Sequence, residues 1–296
     1  MNRIGYSFRF SRASAYMMDA QLRLSDAQQR VTTGKKFTRV SQDPVGGGIV
    51  VSTNRLLERV SQFSDNLNSA KASLSTQENA LGEMTSLLQR ANTLAINGAN
   101  DTLDQTQRDA IAQEVRSVRD SIVKLSNTQD ARERFIFAGQ NNESKPYSVD
   151  TSGNLVFGGD DLPISAEIRS GEYLRTNVEG TPGMFQGIFD TLTSLEENLK
   201  SGSTQLVSDE NLVDLKNSLA HVNAVRGQVG IGLKTVDSEL VMNIARQDDL
   251  KKQISSVQEV DMAEAIVDYQ LAENAYTAAL QSATRGASLS LLDFMQ

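Results

Sequence analysis

The stretch LLERVSQFSDNLNSAKASLSTQENALGEMTSLLQRANTLA, residues 56–95, decides the architecture. Leu56, Val60, Phe63, Leu67, Ala70, Leu74, Gln77, Leu81, Met84, Leu88, Ala91 and Ala95 recur in it at steps of three and four without a slip. That spacing predicts one helix that buries a narrow stripe, roughly 40 residues and about 60 Å long. Gln77 is the single polar residue on the seam. Two readings stay open for it: a buried register-fixing amide, or an edge position facing solvent.

Similar seams run on both sides. Phe10, Ala13, Met17, Ala20, Leu24, Ala27 and Val31 form one, and Gly34 is placed to end it because glycine tolerates positive φ. Ile111, Val115, Val118, Ile122 and Leu125 form another, starting near Asp104 or Thr106. Further on come Leu212, Leu215, Leu219, Val222, Val229, Leu233, Val236 and Leu240. Ile254 and Val257 lead into a final series of Ile266, Tyr269, Tyr276, Leu280, Ala283, Ala287, Leu291 and Phe294. A terminal helix with an apolar stripe needs a partner to cover it, and such segments are expected to order on assembly.

The middle of the chain reads differently. Pro146, Pro163 and Pro182, three of the four prolines, fall there, while 45–145 and 183–296 contain none. Helix-breaking chemistry is thus concentrated between two helical flanks. Residues 135–137, 147–149, 154–157, 164–168 and 173–178 are short β-prone runs, with a hairpin turn at 150–153 and a second turn at 158–161. Helix resumes around Phe185, Ile188, Phe189, Leu192 and Leu195. The expected fold is mainly α: an elongated antiparallel helical bundle built from the N- and C-terminal halves, carrying a small inserted β domain. The expected divisions are terminal coiled-coil segments 1–40 and 262–296, a helical rod of 41–135 with 184–261, and the β domain 136–183.

Composition narrows the chemistry. The 296 residues include no cysteine, no tryptophan and one histidine. Disulfides, thiolate nucleophiles, Cys-based zinc sites and histidine-centred relays therefore lack material. No apolar run approaches a membrane span, and the N-terminal region has arginines but no apolar core of a secretory signal. The net charge of −8 argues against nucleic acid as a partner. Charge is unevenly placed, however. Residues 1–40 hold eight basic groups against Asp19 and Asp26, whereas 260–296 hold five acidic groups against Arg285. Such termini can attract each other or neighbouring copies.

The remaining motifs each have a bland explanation. Gly227, Gly230 and Gly232 lack the strand and the Lys-Ser/Thr of a phosphate loop, so close packing or a helix interruption is expected. Gly46, Gly47 and Gly48 after Pro44 read as a loop. Asp160 and Asp161 are ordinary turn carboxylates, capable at most of weak cation binding. His221 reads as a hydrogen-bonded bundle histidine, and Met17 and Met18 as gap-fillers. No active site, cofactor or metal site is expected.

Several short motifs resemble the flagellin superfamily. RVTTGK (30–35) followed by SQDP (41–44) is similar to the family's Ser/Thr-Gly-Lys … Asp-Asp-Pro signature, with Gln42 in place of the first acidic residue. ARERFIFAG (131–139) resembles the segment by which the family's hook–filament junction members leave their long helix; flagellins usually have Phe-Asn-Gly there. RGQVG (226–230) is similar to an Arg–Gly pattern in the returning helix, and LSLLDF (289–294) to the ending of the junction members. The resemblance covers about 1–140 and 205–296; the insertion adds only FGG (157–159).

The resemblance implies a structural part of the bacterial flagellum, outside the cell, exported unfolded through the flagellar type III apparatus. It implies hook-associated protein 1, flagellin, further copies of the chain and a cytoplasmic export chaperone as partners, with no nucleic acid and no membrane insertion. The implied assembly interface is the terminal seam: Ala13, Met17, Ala20, Leu24, Ala27, Val31, Ile266, Tyr269, Tyr276, Leu280, Ala283, Ala287, Leu291 and Phe294. A filament flagellin is the near alternative. A cytosolic coiled-coil scaffold fits the periodicity equally well, and an enzyme acting on surface polymer would need paired carboxylates in the insertion.

Overall fold

The computed structural model describes the backbone of residues 3–294 and the side chains of 11–284. The elements run α1 (Arg3–Thr33), α2 (Pro44–Gly98), α3 (Gln105–Leu125), β1 (Tyr147–Val149), β2 (Leu155–Phe157), β3 (Ser165–Arg169), β4 (Glu172–Arg175), α4 (Thr181–Lys200), the single turn α5 (Thr204–Leu206), α6 (Leu212–Gln258) and α7 (Met262–Phe294). A π-helical turn, Val207–Asn211, joins α5 to α6. The fold is mainly α with two small antiparallel hairpins, β1–β2 and β3–β4, as the periodicity predicts. The chain divides into two compact units, one of residues up to Arg59 with those from Arg246 on, the other Val60–Ala245.

In the Val60–Ala245 unit the core follows the predicted seam. Leu67, Leu74, Leu81, Met84, Leu88 and Ala91 of α2 are buried against Val115, Val118 and Ile122 of α3 and against Leu192 and Leu195 of α4. Val222, Val229 and Val236 of α6 join the same core. Local signals set the boundaries. Asp104 caps α3 by accepting from Gln107 N–H at 2.8 Å, while the Gln107 amide oxygen accepts from Asp104 N–H at 3.1 Å. Pro182 stands in the first turn of α4, where its missing N–H costs nothing.

The inserted strands share this core. Tyr147, Leu155, Ile168 and Val178 are buried with it, and Phe185 of α4 lies between the rings of Phe137 and Tyr147, at 5.1 and 4.8 Å. Polar side chains of the long helices hold the β3–β4 hairpin. Asn66 Nδ2 donates to Glu167 O at 2.9 Å. Arg169 grips the buried carboxylate of Glu239 with two guanidinium nitrogens, Nε at 2.8 Å and Nη2. Gln77, 1% exposed, donates from Nε2 to Thr176 O at 2.8 Å. It is therefore the buried alternative, but it ties α2 to the insertion rather than setting a helix–helix register.

Other expectations are corrected. Gly46, Gly47 and Gly48 are no loop; they lie in the first turns of α2, which starts at Pro44. Gly47 is required by packing, since a Cβ there would meet Val40 Cγ1 at 2.9 Å. Residues 135–137 make no strand: Phe135 forms an isolated bridge with Gln129, and the segment is a turn pinned by Asp130. None of Gly227, Gly230 and Gly232 interrupts α6, and of their two readings close packing holds at Gly232, against Leu74. His221, expected as a hydrogen-bonded bundle histidine, is exposed on α6.

The turn 130–142 needs its glycine twice over. Gly139 has φ +68°, and a Cβ there would lie 2.1 Å from Asp160 backbone oxygen. Gly171 has φ +77° but open space around it. Gly139→Ala should therefore destabilise the protein by more than about 3 kcal/mol, against about 1 kcal/mol for Gly171→Ala. Urea unfolding of the two variants checks the difference.

Acidic side chains organise the same region. Asp160 accepts N–H bonds from Gln140 at 2.7 Å, Asn141 at 3.1 Å and Leu162 at 3.1 Å. These bonds, that from Gln140 foremost, hold its carboxyl below the ordinary range. Burial opposes ionisation of Asp130, but the bonds from Arg134 and Arg132 outweigh it and lower its pKa too. Both groups thus have folded pKa values below their unfolded ones. Their contribution is complete above the ordinary aspartate pKa of about 4 and is lost as pH falls through the lower folded values. Stability should therefore drop steeply below about pH 4, with a shallower slope in Asp160→Asn and Asp130→Asn. Chemical unfolding across pH 2–6 (roughly the window that brackets these groups) measures this.

Candidate assembly surface

The unit formed by the two ends of the chain brings the predicted terminal seams together. α1 ends where Gly34 takes φ +68°. The next residues run antiparallel to the α6–α7 connection: Lys36 N–H donates to Gln258 O at 2.7 Å, and Val260 N–H to Gly34 O at 3.0 Å. Lys36 Nζ reaches Ser256 O at 3.3 Å. Asp261 caps α7 by accepting from Ala263 N–H at 2.8 Å. Between α1 and α2, the Gln42 amide oxygen accepts from Thr38 and Arg39 N–H at 2.9 and 3.1 Å. Asp43 then caps α2 through Gly46 N–H at 2.9 Å. The oxygen of Gln42 supplies the acceptors this turn needs without a carboxylate's charge.

From that base α1 and α7 run antiparallel with Cα atoms repeatedly within 8 Å of each other. Ala13, Met17, Ala20, Leu24 and Val31 are half-buried on α1 and Ala27 is buried. On α7 the covered positions are Ala265, Tyr269, Ala272, Tyr276, Ala279 and Ala283. Both sets alternate steps of four and three, the spacing of a two-helix seam. Each helix offers alanine at one of its two seam positions, and the missing bulk lets the backbones approach closely.

Two of the predicted residues stand beside this seam rather than on it. Ile266 is 43% and Leu280 38% exposed, each one residue beyond an alanine that turns to α1. Ala265, Ala272 and Ala279 are the residues the sequence reading missed. Their signal is the strict four–three spacing with Tyr269 and Tyr276, which tracing bulky side chains passes over. The side chains of Ala287, Leu291 and Phe294 lie outside the described residues. Met17 sits on the seam, but Met18 is exposed.

Among the described residues, no group of three or more His, Cys, Asp or Glu could hold a metal ion, and no helix is long and apolar enough to cross a membrane. Asp160 and Asp161 are occupied with backbone N–H groups, Asp161 with that of Gly180. The sizeable clefts are open; one of about 310 Å³ is lined by α2, the 130–142 turn and β3, with Asn66, Ser73, Gln77 and Arg132 on its walls.

The comparisons agree with this geometry. Residues 8–142 match the family model of the bacterial flagellin N-terminal helical region. Over those residues the chain is similar in sequence to bacterial flagellins. Its fuller resemblance is to flagellar hook-associated protein 3. It is 26% identical to that protein of Escherichia coli (strain K12) over 293 residues, covering 89% of this chain and 90% of the relative. A solved structure described as a putative flagellar hook-associated protein from Vibrio parahaemolyticus superposes with a TM-score of 0.64 at 21% identity, covering 74% of this chain and 100% of that one. The flagellin of Clostridium tyrobutyricum is 31% identical over 115 residues, but this spans 39% of this chain and 30% of that protein.

The close α1–α7 contact makes a size prediction. Ala27→Leu should force the helices apart at a cost of about 1–3 kcal/mol, whereas Leu22→Ser, on an exposed face, should stay within about 0.5 kcal/mol. Hydrogen exchange of the α1 and α7 amides reads the difference.

Proposed function

We propose that this chain is a non-enzymatic structural subunit of the bacterial flagellum that joins the hook to the flagellin filament. The observation that carries the reading is extent. The match to hook-associated protein 3 covers 89% of this chain, through both helical flanks and the insertion, whereas the flagellin matches cover between 39% and 57% of it. On this reading the hook-side neighbour is hook-associated protein 1, the filament-side neighbour is flagellin, and copies of the chain form the joint between them. The subunit travels unfolded through the flagellar type III export apparatus, held beforehand by a cytoplasmic chaperone, and works outside the cell.

The physical basis of assembly is the pair of terminal segments, 1–40 and 262–296. Their seams bury apolar surface against each other and leave further apolar residues exposed, among them Leu22, Val267 and Leu271. Exposed apolar helix faces favour association with other helices. The rod segments 41–135 and 184–261 adjoin these segments in the chain, and the insertion 136–183 is not needed for joining.

Immunogold labelling of isolated flagella tests the reading. Label should sit at one position, the base of the filament, and should vanish when residues 1–30 or 270–296 are deleted. Label along the whole filament would instead make the chain a flagellin.

A further inference from the structure

Two helix faces in the terminal unit are left exposed among the described residues. The first is on α2, whose opening turns bury Val50 and Thr53 on one side. The other side exposes Val45, Ile49 and Leu56 at steps of four and seven, with Arg55 and Arg59 beside them. Gly48 lies on the same face with open space above it. The second face is on α7, flanking its seam with α1. It exposes Val267 and Leu271, the latter 62% exposed, together with Glu264 and Asp268. Ala275 and Ala278 continue it as small residues. Among the described residues, none of Arg55, Arg59, Glu264 and Asp268 forms an ion pair. One face is apolar and basic, the other apolar and acidic.

We propose that these two faces are the halves of one contact, in which α7 of one copy docks antiparallel on the first four turns of α2 of the next copy. The inference rests on the structural-subunit reading and names the partner of that surface as a second copy of this chain. A single antiparallel register sets each basic group level with an acidic one. Arg59 then stands level with Glu264, Arg55 with Asp268, Leu56 with Val267, and Ser52 with Leu271. Ile49 and Val45 fall level with Asn274 and Ala278, where small or short side chains leave room for them. On each helix these residues fall within about 120° of arc, close to the width of one packed helix face. The match combines charge complementarity with apolar packing, the two features that orient and hold helix–helix interfaces. Because the two halves differ, the contact is heterologous: each copy has one face left for a neighbour on either side, so copies join head to tail into a ring or helix.

The absence of native cysteine makes a direct test clean. In the full chain, Leu56→Cys combined with Val267→Cys should give a ladder of disulfide-linked oligomers under mild oxidation, in concentrated solution and in isolated flagella. Neither single variant should run beyond a dimer, and Leu56→Cys with Leu280→Cys should give no ladder. Separately, reversing Arg55 and Arg59 to Glu should weaken self-association at least about tenfold at low salt, read by sedimentation velocity. Adding Glu264→Lys and Asp268→Lys should restore it, with unchanged circular dichroism in every variant. A missing ladder in both settings, or reversal variants that associate like the parent protein, overturns the contact. Immunogold label away from the filament base overturns the junction reading and not this contact, so the two failures are distinguishable.

Discussion

Two backbone hydrogen bonds near the ends of the chain, Lys36 N–H to Gln258 O and Val260 N–H to Gly34 O, fix the geometry on which the terminal unit depends. They bring segments more than 200 residues apart in sequence side by side (Lys36 and Ser256 are separated by 220). They also run them antiparallel, so the helices leaving that point start level with each other. Everything along α1 and α7 inherits the alignment. Alanine at alternate seam positions only permits close approach if both helices keep that register, because a slip by one position would set a tyrosine where an alanine is needed. Gly34 is part of the same constraint: its φ of +68° ends α1 and turns the chain into the bridge.

The insertion is governed by a different economy. Strands of three to five residues cannot stand alone, and these do not. They are fastened by side chains that reach across from helices: Asn66 and Gln77 from α2, and Glu239 from α6. Turn carboxylates then satisfy the backbone N–H groups that the strands leave over, as Asp160 does for Gln140, Asn141 and Leu162. Burying Tyr147 and Phe137 around Phe185 closes the region onto the helical core.

Where sequence periodicity was long and its side chains large, it could be read directly. The α2 seam from Val60 to Ala95, the capped start of α3 at Asp104, and the hairpin at 150–153 all stand where pattern and turn chemistry put them. The failures have physical reasons. Gly46–Gly48 looked like a loop because propensity is local, whereas the Asp43 cap, Pro44 and the neighbouring Phe37 and Val40 select helix there. Residues 135–137 carry β-prone side chains, but Asp130 takes the backbone N–H groups of Arg132 and Arg134 and folds the segment into a turn. On α7 the covered face is marked by alanines, whose weak hydrophobicity hides them beside Ile266 and Leu280. The partner of Gln77 lies 99 residues away, a relation that helical spacing does not encode.

The glycines of α6 carry a mechanical consequence. Gly227 and Gly230 lie inside a 47-residue helix with nothing within 4 Å of where a side chain would begin. Gly232, by contrast, leaves room for Leu74. Each unsupported glycine weakens a helix interior by roughly 0.5–1 kcal/mol relative to alanine, and here no packing compensates for two of them. The helix is therefore at its most pliant over about one turn near its middle. Bending strain on α6 would gather at that turn, sparing the packed seams on either side.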